Sequence, residues 1–134
     1  MGTGFVLVLS LGFLLAAVSS GPIPQPCQML IKRGFLSDEI FCASTCSIGG
    51  SCAPHGWGPG PSGQMYYQCR CGGQGGQLDP ASNCHATLEV WPDGSWIVDC
   101  FVNGNRCPLP KRCVDMTGPG GCPVGQTCPV CQCL

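Results

Sequence analysis

Between Cys107 and Cys113 the chain reads Pro108-Leu109-Pro110-Lys111-Arg112, two prolines and two bases confined between two cysteines. A cross-linked, extended loop that offers Lys or Arg is what a protein inhibitor presents to a trypsin-like protease, because the ordering entropy of binding is spent before the encounter. Lys111 and Arg112 are therefore the candidate binding loop, and Lys32-Arg33 is a second, less constrained basic pair. The plain alternative is that these are solvated turn residues. Trp57, Trp91 and Trp96, with Tyr66 and Tyr67, are the other candidate contacts, since Trp and Tyr are favoured at protein interfaces; against this stands simple core packing.

Catalysis finds little to work with. The two histidines, His55 and His85, fall at unrelated places, and no G-x-S-x-G turn, H-E-x-x-H helix or phosphate loop is present. No catalytic residue is assigned and no enzyme is expected. His85 is expected to face solvent at a strand end and His55 to lie on a surface loop. Cys128, Cys131 and Cys133 have the close spacing of a thiolate metal site, but an exported chain is expected to oxidise them instead. Seven scattered acids make no calcium cage, so neither metal nor cofactor is expected. The net charge of −1 lacks the clustered basic face of a nucleic-acid binder or a membrane-directed cationic peptide.

Residues 5–18 form an uncharged, mostly apolar run followed by small residues, which predicts a secretory signal peptide over residues 1–20 with cleavage after Ser20. The run is shorter than the roughly 20 residues a helix needs to cross a bilayer, so the protein is expected to be secreted and extracellular rather than anchored. All 14 cysteines follow, between Cys27 and Cys133, accompanied by 21 Gly and 13 Pro in the whole chain. An even, dense cysteine set in a short exported chain predicts a disulfide scaffold dominated by β-hairpins and loops. Bridges at about 2–4 kcal/mol apiece would supply the stability that a sparse aliphatic core lacks.

Laid side by side, the cysteines of the two halves repeat. Cys27, Cys42, Cys46, Cys52, Cys69 and Cys71 are spaced 15, 4, 6, 17 and 2 apart; Cys84, Cys100, Cys107, Cys113, Cys131 and Cys133 are spaced 16, 7, 6, 18 and 2 apart. Gly58-Pro59-Gly60 with Gly63-Gln64 matches Gly118-Pro119-Gly120 with Gly125-Gln126. The expectation is two tandem six-cysteine modules, residues 21–76 and 77–134. Cys122 and Cys128 have no counterparts in the first copy and are expected to bridge each other, giving the second module one extra disulfide. The remaining pairings stay open, except that Cys69 and Cys71, expected on opposite faces of an extended segment, should take different distant partners. Residues 72–77, Gly-Gly-Gln-Gly-Gly-Gln, lie between the modules and read as a flexible linker, with the boundary near Gly76.

Within the second copy, β-prone residues 87–91 and 95–99 flank Pro92-Asp93-Gly94 and predict a hairpin. Residues 29–32 and 35–41 around Arg33-Gly34 predict a weaker version in the first copy. A short strand over residues 64–70 is expected to join that first hairpin.

The ending Gly125-Gln126-Thr127-Cys128-Pro129-Val130-Cys131-Gln132-Cys133 resembles the C-x-x-C-x-C close of antistasin-like inhibitors and of von Willebrand factor type C modules. The antistasin resemblance implies a basic residue facing a protease, which adds weight to Lys111 and Arg112. The leading expectation is a secreted, non-enzymatic protein that binds an extracellular protein or joins a matrix; the second is a serine-protease inhibitor.

Overall fold

A computed structural model describes residues 25–100 and 105–134. The signal-peptide expectation falls on residues outside that range. Among the described residues there are nine short strands, one 3-10 turn and no α-helix, as Gly, Pro and Cys density dictates.

Strands β1 (Gln28–Lys32) and β2 (Glu39–Ala43) form the first hairpin. Met29 and Ile31 are buried while their neighbours are not, the alternation of a strand with one inward face. Strand β3 (Cys52–Trp57) pairs with β4 (Met65–Cys71), and β4 also pairs with β5 (Thr87–Val90), which turns into β6 (Trp96–Asp99) to give a four-stranded antiparallel sheet. The turn closing β5 and β6 is fixed by Gly94 at φ 89° and by Asp93, whose carboxylate accepts from the amide and hydroxyl of Ser95. Last come β7 (Cys113–Asp115), β8 (Thr127–Pro129) and β9 (Cys131–Cys133), of which β7 pairs with β9 and β8 adds to the free side of β1.

All fourteen cysteines are bridged. Cys27 joins Cys52, Cys42 joins Cys69 and Cys46 joins Cys71. Cys84 joins Cys113, Cys100 joins Cys131 and Cys107 joins Cys133. Both sets run first to fourth, second to fifth and third to sixth. In both halves the fourth cysteine also lies directly across a ladder from the sixth, Cys52 opposite Cys71 and Cys113 opposite Cys133. Cys122 closes its local loop on Cys128. These sulfurs fill much of the interior, with Cys27, Cys71 and Cys100 almost wholly buried beside Ile31 and Val130.

Several expectations need correction. Cys69 and Cys71 lie on the same face of β4, since alternate residues of a strand must; their different partners come from the separate positions of Cys42 and Cys46. The strand at 65–71 does not join the first hairpin but pairs with β3 and β5. Phe35 and Leu36 belong to the loop before β2, not to the strand. The glycine-rich segment is not a free tether. Its Gly73 packs so close to Gly50 that a Cβ on Gly50 would stand 2.2 Å from the Gly73 nitrogen. Just beyond it, Asp79 is fully buried and accepts from the amides of Cys27 (3.1 Å), Ser47 (3.3 Å) and Ala81 (3.1 Å) and from the Ser47 hydroxyl.

Candidate functional site

The β1–β2 loop carries two large apolar side chains that are almost fully exposed. Phe35 is 94% and Leu36 101% exposed, although hydrophobic burial would favour hiding both. The loop beneath them is braced. Arg33 makes an ion pair with Asp38 at 2.9 Å, and Asp38 also accepts from the Gly34 amide at 3.2 Å. The same guanidinium reaches the second half, donating to the carbonyls of Thr117 (2.6 Å) and Cys122 (3.3 Å). The Arg33 main chain is held too, its amide donating to Gln126 and its carbonyl accepting from Gly125. Beside Arg33 lies a shallow, largely apolar hollow walled by residues 118–124, where Val124 is 53% exposed. The tip is thus an apolar knob on a base that residues from both halves of the chain hold.

Arg33 is correspondingly unlike the exposed base that its dipeptide suggested, because its side chain is spent on Asp38 and on three carbonyls. Lys111 and Arg112 are exposed. Their loop is not extended, however. The Lys111 amide closes a turn on the Pro108 carbonyl at 2.8 Å, and Arg112 exchanges both main-chain hydrogen bonds with Leu134, at 3.1 and 3.0 Å. A protease that reads its ligand as an added strand needs those main-chain groups for itself. Leu109, 95% exposed at the tip of this loop, is the apolar counterpart that sequence reasoning passed over.

The three tryptophans do not gather. Trp57 is 47% exposed and stacks on Tyr66 across β3 and β4, with ring centroids 5.7 Å apart and planes 21° from parallel. Trp96 packs against the core. Trp91, half-buried before the hairpin turn, has an indole nitrogen with no hydrogen-bond partner among the described residues.

The histidines are placed differently from expectation. His55 lies on strand β3 rather than a loop, exposed, with its ring against Gly76. His85 is buried instead of facing solvent, and its amide donates to the Asn105 side chain at 2.7 Å. Burial holds its pKa below the usual imidazole value, and Arg106 pushes the same way; Asp79 opposes them and Arg70 adds a smaller push downward. Asp79 is the reverse case. Burial pushes its carboxyl up, but the hydrogen bonds from Ser47, Ala81 and Cys27 outweigh that and leave it below the usual carboxylate value.

Sulfurs cluster in threes, as at Cys27, Cys46 and Cys71 or Cys84, Cys107 and Cys113. Each cluster is one bridge touching its neighbour, so the atoms are disulfide sulfur and not the thiolate a metal needs.

What these features define is a small, strand-rich, densely disulfide-bonded protein of the kind suited to oxidising, extracellular surroundings. Among the described residues no helix is long and apolar enough to cross a membrane. No protein-family model matches the chain, nor does any curated protein or solved structure.

Proposed function

We propose that this is a secreted, non-enzymatic binding protein made of two tandem six-cysteine copies, which seats the Phe35–Leu36 knob in an apolar depression on an extracellular protein. The repeat reading is supported by the identical bridge order of the two halves. The observation that carries the binding reading is the pair of almost fully exposed apolar side chains on a loop whose base is tied down by Arg33. Two apolar side chains cost solubility when bare and return free energy only when a partner covers them. Because the loop is already ordered, little of that return is lost on binding. Its neighbourhood is charge-balanced, with Lys32 and Arg33 facing Asp38 and Glu39, which suits a protein surface better than anionic lipid.

The test is a quantitative comparison of captured proteins from native extracellular fluid, using the folded chain and its Phe35→Asp/Leu36→Asp variant as baits. The expected result is a partner whose affinity, measured with both purified components, falls at least about a hundredfold in the variant, as for a pair of central hot-spot residues. Equal affinity of the two baits for every captured protein would overturn the assignment.

An inhibitor of trypsin-like proteases is the second reading, favoured by the exposure of Lys111 and Arg112 between two bridged cysteines. The paired main chain of Arg112 weighs against it.

A further inference from the structure

The first and second sheets face each other without closing. Between them is an open cleft of about 360 Å³, lined by Met29, Ile40 and Cys42 from one sheet and by Tyr67, Leu88 and Val90 from the other. No lining residue carries a charge, and Tyr67 contributes the one side-chain hydroxyl. Glu89 alternates with Leu88 and Val90 along its strand and so projects to the opposite face. The width of the cleft is set covalently, because the Cys42–Cys69 bridge ties β2 to β4 across it. A pre-formed space of this volume lies within the range that encloses small molecules, and it loses little free energy to reorganisation when filled. Apolar walls gain free energy when an apolar molecule covers them in place of water.

We infer that this cleft is a binding site for a small, uncharged, predominantly apolar molecule, with Tyr67 able to meet a single hydroxyl or carbonyl. The chemistry selects against a carboxylate of the same chain length, because no base lines the space to replace lost hydration. The assignment is independent of the Phe35–Leu36 knob, which lies in a separate loop.

The test titrates N-phenyl-1-naphthylamine, a neutral apolar fluorophore, into the folded, oxidised protein, then displaces it with 1-decanol or with decanoate at pH 8. The expected results are saturable binding at one site, displacement by the alcohol, and displacement by the carboxylate at least about tenfold weaker. Leu88→Arg is expected to abolish binding by placing a charge in the cleft. Val90→Phe, which fills the space without a charge, should also weaken it at least about tenfold and serves if the arginine variant fails to fold. Phe35→Asp should bind the dye as the parent does. Non-saturable binding, parent-like affinity in folded Val90→Phe, displacement by decanoate less than about tenfold weaker than by decanol, or loss of binding in Phe35→Asp would each overturn the inference.

Discussion

The carboxylate of Asp79 accepts a 3.1 Å hydrogen bond from the backbone amide of Cys27, 52 positions earlier in the chain. Together with its bonds to Ser47 and Ala81, this pins the segment between the two halves onto the entrance of β1. Hydrogen bonds to a buried charge contribute about 1.5–3 kcal/mol each, and removing the acceptor leaves buried amides unpaired. Asp79→Ala is therefore expected to lose about 3 kcal/mol of stability, measured as a shifted urea midpoint with all bridges intact. A midpoint equal to the parent's would show the contact to be dispensable.

Stability should fall in two stages on acidification. His85 resists protonation when folded, so the unfolded chain binds the extra proton once the pH drops below about 6.5, and stability declines from there down to the lowered folded pKa. Asp79 is held ionised below the usual carboxylate value, so its contribution is intact above that value and is lost as the pH falls through about 4 and below. Urea midpoints across pH 3–8 check both stages, with His85→Gln expected to remove only the upper one.

Arg33→Ala should cost about 2 kcal/mol by removing charge-assisted bonds to Asp38, Thr117 and Cys122. It should also release the loop, so amide exchange at residues 34–37 rises well above the parent's. Phe35→Asp and Leu36→Asp, by contrast, should leave the urea midpoint within about 0.5 kcal/mol, since neither side chain is packed.

Trypsin should hydrolyse a small chromogenic substrate at its normal rate with the folded protein in molar excess, because Arg112 has no free main-chain edge to offer. Nanomolar inhibition that disappears in Lys111→Ala/Arg112→Ala would instead make the basic loop the functional element.

Removing the Cys122–Cys128 bridge by paired serine substitution should cost about 2 kcal/mol, against about 3.5 kcal/mol for Cys42–Cys69, because a smaller loop restrains the unfolded chain less. Thermal unfolding of the two double variants gives the comparison.

The features legible in the sequence were those governed by local chemistry. Pro92-Asp93-Gly94 announces its hairpin because those residues suit that turn, and Cys122 and Cys128 stand out as surplus to the cysteine spacing that the two halves share. Strand β3 is not legible in the sequence because Pro54 and Gly56 interrupt it, which an edge strand tolerates although strand propensity argues against it. The pairing of β1 with β8 and of β4 with β5 was invisible, since alternation reveals that a strand has an inner face but not which strand lies beside it. β-prone residues continue through Phe35 and Leu36, so the sequence reads as strand there; the Arg33–Asp38 ion pair and the Gly34–Asp38 hydrogen bond make it a loop before β2. Asp79 is hidden in a polar, glycine-rich stretch, where one buried carboxylate leaves no periodic signal.

Every bridge lies wholly within residues 27–71 or 84–133. The peptide running from Gly72 to Asn83 is thus the sole covalent waist of the cross-linked body, while hydrogen-bonded strands interleave around it. A single nick there would give two pieces that part on a non-reducing denaturing gel yet stay clasped in native buffer.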